Sequence, residues 1–128
     1  FKAGKAVAWH AEKGEDAPEK IICTDEGSHM LGELALVPKD SAISESGLLY
    51  CNTLFDENAS CHVALGMGYN ECVKGFQNMT RDELHALGVN DSMIHVDFMI
   101  GSDDLTITGY KDGVATPVFK NGKWASEI

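Results

Sequence analysis

The residues best suited to chemistry are carboxylates and histidines that lie within otherwise apolar or small segments of the chain. Glu33 follows a glycine in the apolar run from 32 to 38, and His62 follows a stretch rich in Asn, Asp and Glu. His95 and Asp97 lie two positions apart among apolar residues. Because burial of such groups is unfavourable unless a partner compensates for the lost water, they indicate a bound cation. Two imidazoles and two carboxylates are a donor set suited to zinc, cobalt or manganese.

The same four side chains predict hydrolytic chemistry if they converge in the fold. Two divalent ions about 3.5–4 Å apart, bridged by a carboxylate, activate a shared water and stabilise the leaving group of a hydrolysis. Taken singly, however, His62 or His95 is more often a hydrogen-bonded structural residue than a ligand. A single-ion storage or structural site is disfavoured, because donors on separate elements suit an open catalytic geometry at least as well.

Short strands are the elements that must position these residues. Residues 93–100 alternate, so that His95 and Asp97 project from one face into a single cavity. Residues 33–37 predict a second strand, which a proline ends. Residues 59–69 are ambiguous, because a preceding asparagine can cap a helix while two internal glycines indicate close backbone packing. We favour a helix for this segment.

The remainder of the chain predicts short helices followed by a meander. Helices are expected from 16 to 23 and from 25 to 31, and the capping box at 80–83 begins another. Residues 105–108 and 114–119 predict two strands joined by a hairpin turn. The expected fold class is therefore α/β (mixed α+β), with a mixed sheet, short helices and a C-terminal antiparallel meander.

Composition and charge exclude several classes of partner. The 128 residues are enough for one domain, and their formal net charge is −10, from twenty acidic and ten basic side chains. Since no basic stripe is present, nucleic acid and anionic membranes are not expected partners. No apolar run approaches the roughly 20 residues that span a bilayer. The sequence has four cysteines but no Cys-x-x-Cys pair, and they are interpreted as reduced, mostly buried thiols of a cytoplasmic protein.

Three motifs that follow one another along the chain carry a family resemblance: LGELALVP, NTLFDENASCH and IHVDFMIGS. In these segments the chain resembles the C-terminal part of the thermophilic metalloprotease family, aminopeptidases of the aminopeptidase T and aminopeptidase S type. The resemblance implies a metal-dependent aminopeptidase that removes N-terminal residues from peptides with a free N-terminus by a metal-activated water. It also implies two divalent ions per complete site and a homodimer.

The same resemblance assigns roles to individual residues. Glu33, His62, His95 and Asp97 match metal ligands of the family, and Tyr69 matches a tyrosine that contacts the catalytic site. Glu33 is also a candidate catalytic residue, and whether it bridges the ions or acts as a base stays open. Two further carboxylates next to the His62 motif are expected either to orient the ligands or to form a plain turn; they are Asp56 and Glu57.

The extent of the chain leads to a further expectation. It begins at Phe1 rather than Met, and we interpret residues 1–128 as the C-terminal catalytic, metal-binding domain of a longer aminopeptidase whose N-terminal domain is absent. The resemblance implies that a complete site of this family contains another glutamate, which lies on a segment that precedes these residues. We therefore expect weak metal binding and little peptidase activity from these residues alone. The alternative is a non-catalytic metal-binding or dimerisation module that retains the fold.

Overall fold

The computed structural model describes residues 1–14 and 16–125, which form two compact units. Unit 1 consists of Phe1–Leu34 and Val63–Asp97, and unit 2 consists of Ala35–His62 and the chain from Phe98 onward. Short helices and two three-stranded sheets make up the described residues. The expected mixed α/β fold class is confirmed.

The first sheet carries the segments that the sequence analysis singled out. Its strands are β1 (Leu31–Ala35), β2 (His62–Gly66) and β3 (His95–Met99), in the order β1-β2-β3. The strands expected at 33–37 and 93–100 are confirmed with different bounds: β1 begins and ends two residues earlier than expected, and β3 is shorter at both ends. The helix expected over 59–69 is wrong, because this segment supplies the central strand.

The reason for this error lies in the burial of β2. All five residues of His62–Gly66 are buried. A strand covered on both faces has no polar face, so its sequence shows a continuous run of small and apolar residues rather than alternation. Such a run cannot be distinguished from a buried helix by periodicity alone.

Near the N-terminus, unit 1 contains one helix where the sequence predicted two. The first, α1 (Asp16–Ile22), ends one residue earlier than expected. The continuation expected over 25–31 is wrong, because the Asp25 carboxylate accepts a hydrogen bond from the Gly27 N–H at 2.9 Å and forms a turn in place of a helix. Ile22 of α1 packs with Ala6 and Leu65 in the buried core of this unit.

The later helices are equally short. They are α2 (Ala42–Ser46) and α3 (Thr53–Asp56) in unit 2, and α4 (Arg81–Ala86) in unit 1. The capping box at the start of α4 is confirmed, since Thr80 and Glu83 each bond the backbone N–H of the other. Among the described helices, none has the length and apolar character needed to cross a membrane.

The C-terminal meander is also confirmed, and it belongs to unit 2. Its strands are β4 (Ile107–Lys111), β5 (Val114–Lys120) and β6 (Lys123–Trp124), paired antiparallel in that order. Phe119 is fully buried and packs on Trp124 with ring centroids 4.5 Å apart. This aromatic contact packs β5 against β6 within the meander.

Candidate metal centre

His95, the first residue of β3, lies at the middle of a cluster of polar side chains in unit 1. Its Nδ1 atom is 2.7 Å from the carbonyl oxygen of Met67. Because a carbonyl only accepts hydrogen bonds, Nδ1 carries a hydrogen and the lone pair of the neutral ring lies on Nε2. Nε2 faces three oxygens: Glu33 Oε2 at 3.0 Å, Asp97 Oδ1 at 3.4 Å and the Tyr69 hydroxyl at 3.4 Å.

This cluster contains more acceptors than donors. Even a doubly protonated His95 has only one N–H to share among the oxygens around Nε2, and the Glu33 carboxylate is the closer acceptor. Asp97 Oδ1 is buried and has no hydrogen-bond partner among the described residues, so its 3.4 Å approach to His95 is a contact without a hydrogen bond. A buried carboxylate oxygen without a donor is costly, and such groups need an explanation.

A divalent cation fits these donors. One carboxylate oxygen of Glu33 and one of Asp97 lie within 4.8 Å of each other, so the two charges repel unless a cation lies between them. Zinc binds nitrogen and oxygen ligands tetrahedrally at about 2.0–2.2 Å, which spaces neighbouring ligand atoms by about 3.3 Å. The separations of 3.0 and 3.4 Å around Nε2 are compatible with that spacing. The Glu33 and Asp97 side chains are 22% and 10% exposed, respectively, so both are largely removed from water.

Tyr69 approaches the same cluster from the segment that follows β2. Its ring packs against the His95 imidazole with centroids 5.1 Å apart and an interplanar angle of 59°. The hydroxyl lies 3.4 Å from Nε2, the atom that the carboxylates of Glu33 and Asp97 also approach. Two of the residues that the sequence predicted for the site, Glu33 and Tyr69, thus lie together with the His95 and Asp97 pair.

His62 is the first residue of the central strand, and its side chain is 2% exposed. Its Nδ1 atom lies 3.0 Å from the carbonyl oxygen of Ser60, which places the hydrogen on Nδ1 and the lone pair on Nε2. An imidazole oriented in this way by a carbonyl is the usual form of a metal-binding histidine. His62 is one of the described residues whose side chain offers a ligand atom suited to a metal ion.

Two glycines allow the strands of this site to approach closely. A Cβ atom on Gly32 would overlap the carbonyl oxygens of Gly66 and Met67. Gly66 has a φ of 99°, which favours glycine, and a Cβ there would overlap the carbonyl of Ile94. Gly32 immediately precedes Glu33, and Ile94 immediately precedes His95. The glycines therefore fix the backbone on both sides of the cluster.

Sequence reasoning missed the two carbonyl groups that orient the imidazoles. Met67 and Ser60 act through their main chains. Every residue type has a main-chain carbonyl, so no side-chain signal could have identified either one. Their role follows only from the backbone path on each side of β2.

Asp56 has a well-defined partner within its own loop. Its carboxylate accepts hydrogen bonds from the backbone N–H groups of Tyr50 at 2.8 Å and Asn52 at 3.0 Å. Of the two expectations for this residue, the turn is therefore present in the structure. Glu57 begins the short 3-10 turn Glu57–Ala59 and is half-buried. A role for either carboxylate in orienting a metal ligand stays a prediction.

Comparison with known proteins identifies the family of the chain. Residues 1–124 match the family described as thermophilic metalloprotease (M29). The chain is 54% identical to aminopeptidase AmpS of Bacillus subtilis (strain 168) and 49% identical to aminopeptidase 2 of Geobacillus stearothermophilus. These alignments cover 98% and 100% of the chain, respectively, and 31% of each relative.

A solved structure agrees with the sequence comparison. The fold superimposes on wild-type AmpT from Thermus thermophilus with a TM-score of 0.81 and 44% identity, covering 97% of the chain and 30% of that protein. The chain thus spans about a third of the length of the aminopeptidases that it matches. The family predicted from the sequence motifs is confirmed, and the chain belongs to the thermophilic metalloprotease (M29) family.

Proposed function

We propose that the protein is a metal-dependent aminopeptidase and that this chain contributes its metal-binding residues. The observation that carries the proposal is the cluster around His95 Nε2, where Glu33 and Asp97 supply two carboxylates and one buried oxygen has no donor among the described residues. Membership of a metalloprotease family, with relatives named aminopeptidases, supports the same conclusion.

Four side chains would bind the metal. His95 and Asp97 on β3 and Glu33 on β1 belong to the described cluster, and His62 begins β2, the strand between them in the sheet. Zinc, cobalt or manganese suits this mixture of imidazole and carboxylate, with two ions per complete site. A bound divalent ion supplies a Lewis acid and an activated water for hydrolysis.

The chain's own residues perform the remaining tasks. The carbonyls of Met67 and Ser60 keep the imidazoles of His95 and His62 in the tautomer that presents Nε2. The Tyr69 hydroxyl, 3.4 Å from Nε2 of His95, would donate a hydrogen bond to the substrate oxygen on which negative charge develops. Glu33 either bridges two ions or accepts a proton from the attacking water.

The proposed substrate is a peptide with a free N-terminus. The net charge of −10 favours the approach of a cationic N-terminus over that of an anionic group. Since the chain matches 31% of each aminopeptidase, we further propose that it forms the C-terminal catalytic domain and that another glutamate lies elsewhere in the complete enzyme.

Assembly and location are part of the proposal. The family resemblance supports a homodimer. The cysteines support a cytoplasmic location, since all four are free thiols. The expectation that most of them are buried is wrong, because Cys23, Cys51 and Cys72 are exposed. Exposed thiols persist in a reducing compartment.

Release of a chromogenic amine from an aminoacyl anilide tests the proposed activity. We expect the full-length protein, loaded with zinc, cobalt or manganese, to cleave the free aminoacyl substrate but not its N-acetylated form. Glu33→Gln should lower kcat/KM at least 100-fold, whereas Glu71→Gln, which alters an exposed carboxylate of the same unit, should change it less than threefold. Equal activity of the two variants would remove Glu33 from the proposed site.

A further inference from the structure

A cavity of about 310 Å³ in unit 1 is bordered by Glu33 and Tyr69, the two residues assigned above to catalysis. The rest of its wall is mostly apolar and includes Leu31, Leu34 and Leu87. Cavities of roughly 300 Å³ and more are large enough to bind small ligands. The cavity is therefore a candidate subsite next to the proposed metal centre.

The chemistry of the wall determines what the cavity can accept. Among the described residues, the lining contains no lysine, arginine or aspartate, and Glu33 is its one carboxylate. Leu34 and Leu87 are 62% and 61% exposed, so their apolar surface is in contact with water in the free protein. Covering that surface with another apolar group is favourable.

We infer that this cavity binds the side chain of the substrate's N-terminal residue and selects uncharged, apolar residues there. The inference rests on the proposed aminopeptidase function. If the α-amino group of the substrate binds at the proposed metal centre, next to Glu33, the side chain on the adjacent Cα extends into space close to Glu33. Glu33 borders the cavity, so an apolar N-terminal side chain can reach Leu34 and Leu87 from that position.

Anilide substrates that differ only in the N-terminal residue test this assignment, because their leaving group contains no second amino acid. With the full-length, metal-loaded protein we expect kcat/KM for leucyl and phenylalanyl anilides to exceed that for the lysyl anilide at least tenfold. One methylene more or less in a hydrophobic pocket is worth about 10- to 200-fold, and a lysyl ammonium group would in addition lose its water there.

Leu87→Asp introduces a negative charge into the wall of the cavity. It should lower the leucyl-to-lysyl ratio of kcat/KM at least tenfold, because a buried leucyl side chain loses apolar contact and a lysyl ammonium gains a partner. Leu49→Asp is the matched control: Leu49 is 78% exposed and lies in unit 2, so this variant should leave the ratio unchanged.

Three outcomes separate this inference from the proposed function. Hydrolysis with a ratio unaffected by Leu87→Asp overturns the inference and leaves the proposed function standing. The inference is also overturned if Leu87→Asp alters only the preference for the second residue of dipeptide substrates. If no aminoacyl substrate is cleaved under any metal condition, the proposed function fails and the inference falls with it.

Cys72 gives a second measurement that does not depend on the folding of Leu87→Asp. This exposed thiol also lines the cavity. Its modification by a benzyl-sized thiol reagent should lower the ratio of leucyl to alanyl turnover at least tenfold, and Cys72→Ser should be resistant. Modification of Cys23, an exposed thiol outside the cavity lining, is the control. A ratio unchanged after complete modification of Cys72 would contradict the assignment.

Discussion

The imidazole Nε2 of His95 lies 3.0 Å from Oε2 of Glu33, on the side of the ring opposite the Met67 carbonyl that accepts the Nδ1 hydrogen. This arrangement directs the ring's one lone pair toward a carboxylate. With a neutral imidazole, two acceptors face each other there, and Asp97 Oδ1 adds a third. The close approach of His95 Nε2 to these carboxylate oxygens is unfavourable unless a proton or a cation lies between them. The predictions about metal binding rest on this approach.

Asp97→Asn tests whether the buried carboxylate of Asp97 binds a cation. In the metal-free protein the substitution should raise the free energy of unfolding by about 1 kcal/mol, because an amide removes a negative charge that has no donor. The same change should weaken zinc affinity at least tenfold. Thermal unfolding with and without zinc measures both effects. A variant that is less stable without metal but binds zinc normally would show Asp97 to be a structural acceptor.

Gly66→Ala tests whether the close approach of the strands is required. The new Cβ would overlap the Ile94 carbonyl, so we expect a loss of about 1–3 kcal/mol in unfolding free energy beyond the cost of the positive φ. Gly88→Ala is the matched control, because its φ of 96° is close to the 99° of Gly66 while no described atom lies within 4 Å of its Cβ position. Urea unfolding of both variants gives the comparison, and equal losses would refute the packing argument.

Asp25 predicts a specific acid dependence of stability. Hydrogen bonds from the Met93 N–H, from the Ser92 hydroxyl and from the Gly27 N–H lower the pKa of this carboxyl below its usual value. A group whose folded pKa is lowered stabilises the native state fully above its unfolded pKa of about 3.9, and this stability is lost as pH falls through the folded pKa.

The measurement is the unfolding free energy between pH 5 and pH 2. Asp25→Asn should flatten part of the acid limb, and Ser92→Ala, which removes one donor, should move the loss of stability to higher pH. Acid limbs identical to that of the wild type in both variants would contradict this account.

Thr80→Ala removes the side-chain cap of α4. We expect a loss of about 1 kcal/mol in unfolding free energy, because the Glu83 N–H loses its acceptor and the reciprocal bond of the capping box weakens. Thr80→Ser keeps the hydroxyl and should retain most of the stability. If the serine variant is as unstable as the alanine variant, packing of the threonine methyl rather than capping is responsible.

Part of the site could be predicted because its signals are local. His95 and Asp97 are two residues apart on a strand, so period two alone places them on one face. The Gly32-Glu33 pair also gives a local signal. A carboxylate on an apolar strand, next to a glycine, has few structural explanations and therefore indicates a functional residue.

The rest depends on contacts between distant parts of the chain. The central position of β2 follows from strand pairing that no local periodicity encodes, so the local sequence signals of residues 59–69 favour a helix there. The Met67 carbonyl reaches His95 across 28 positions, and the cavity joins residues as far apart as Leu34 and Leu87. Main-chain groups and long-range contacts of this kind can be identified only in the three-dimensional structure.

Zinc titration of the full-length protein, compared between His95→Ala and His85→Ala, tests the central claim most directly. His85 is an exposed histidine of α4 and serves as the control. The account predicts at least one ion bound per chain, affinity at least tenfold weaker in His95→Ala, and unchanged affinity in His85→Ala. Absence of zinc binding, or equal affinity of wild type and His95→Ala, would show that the cluster around His95 is not a metal centre.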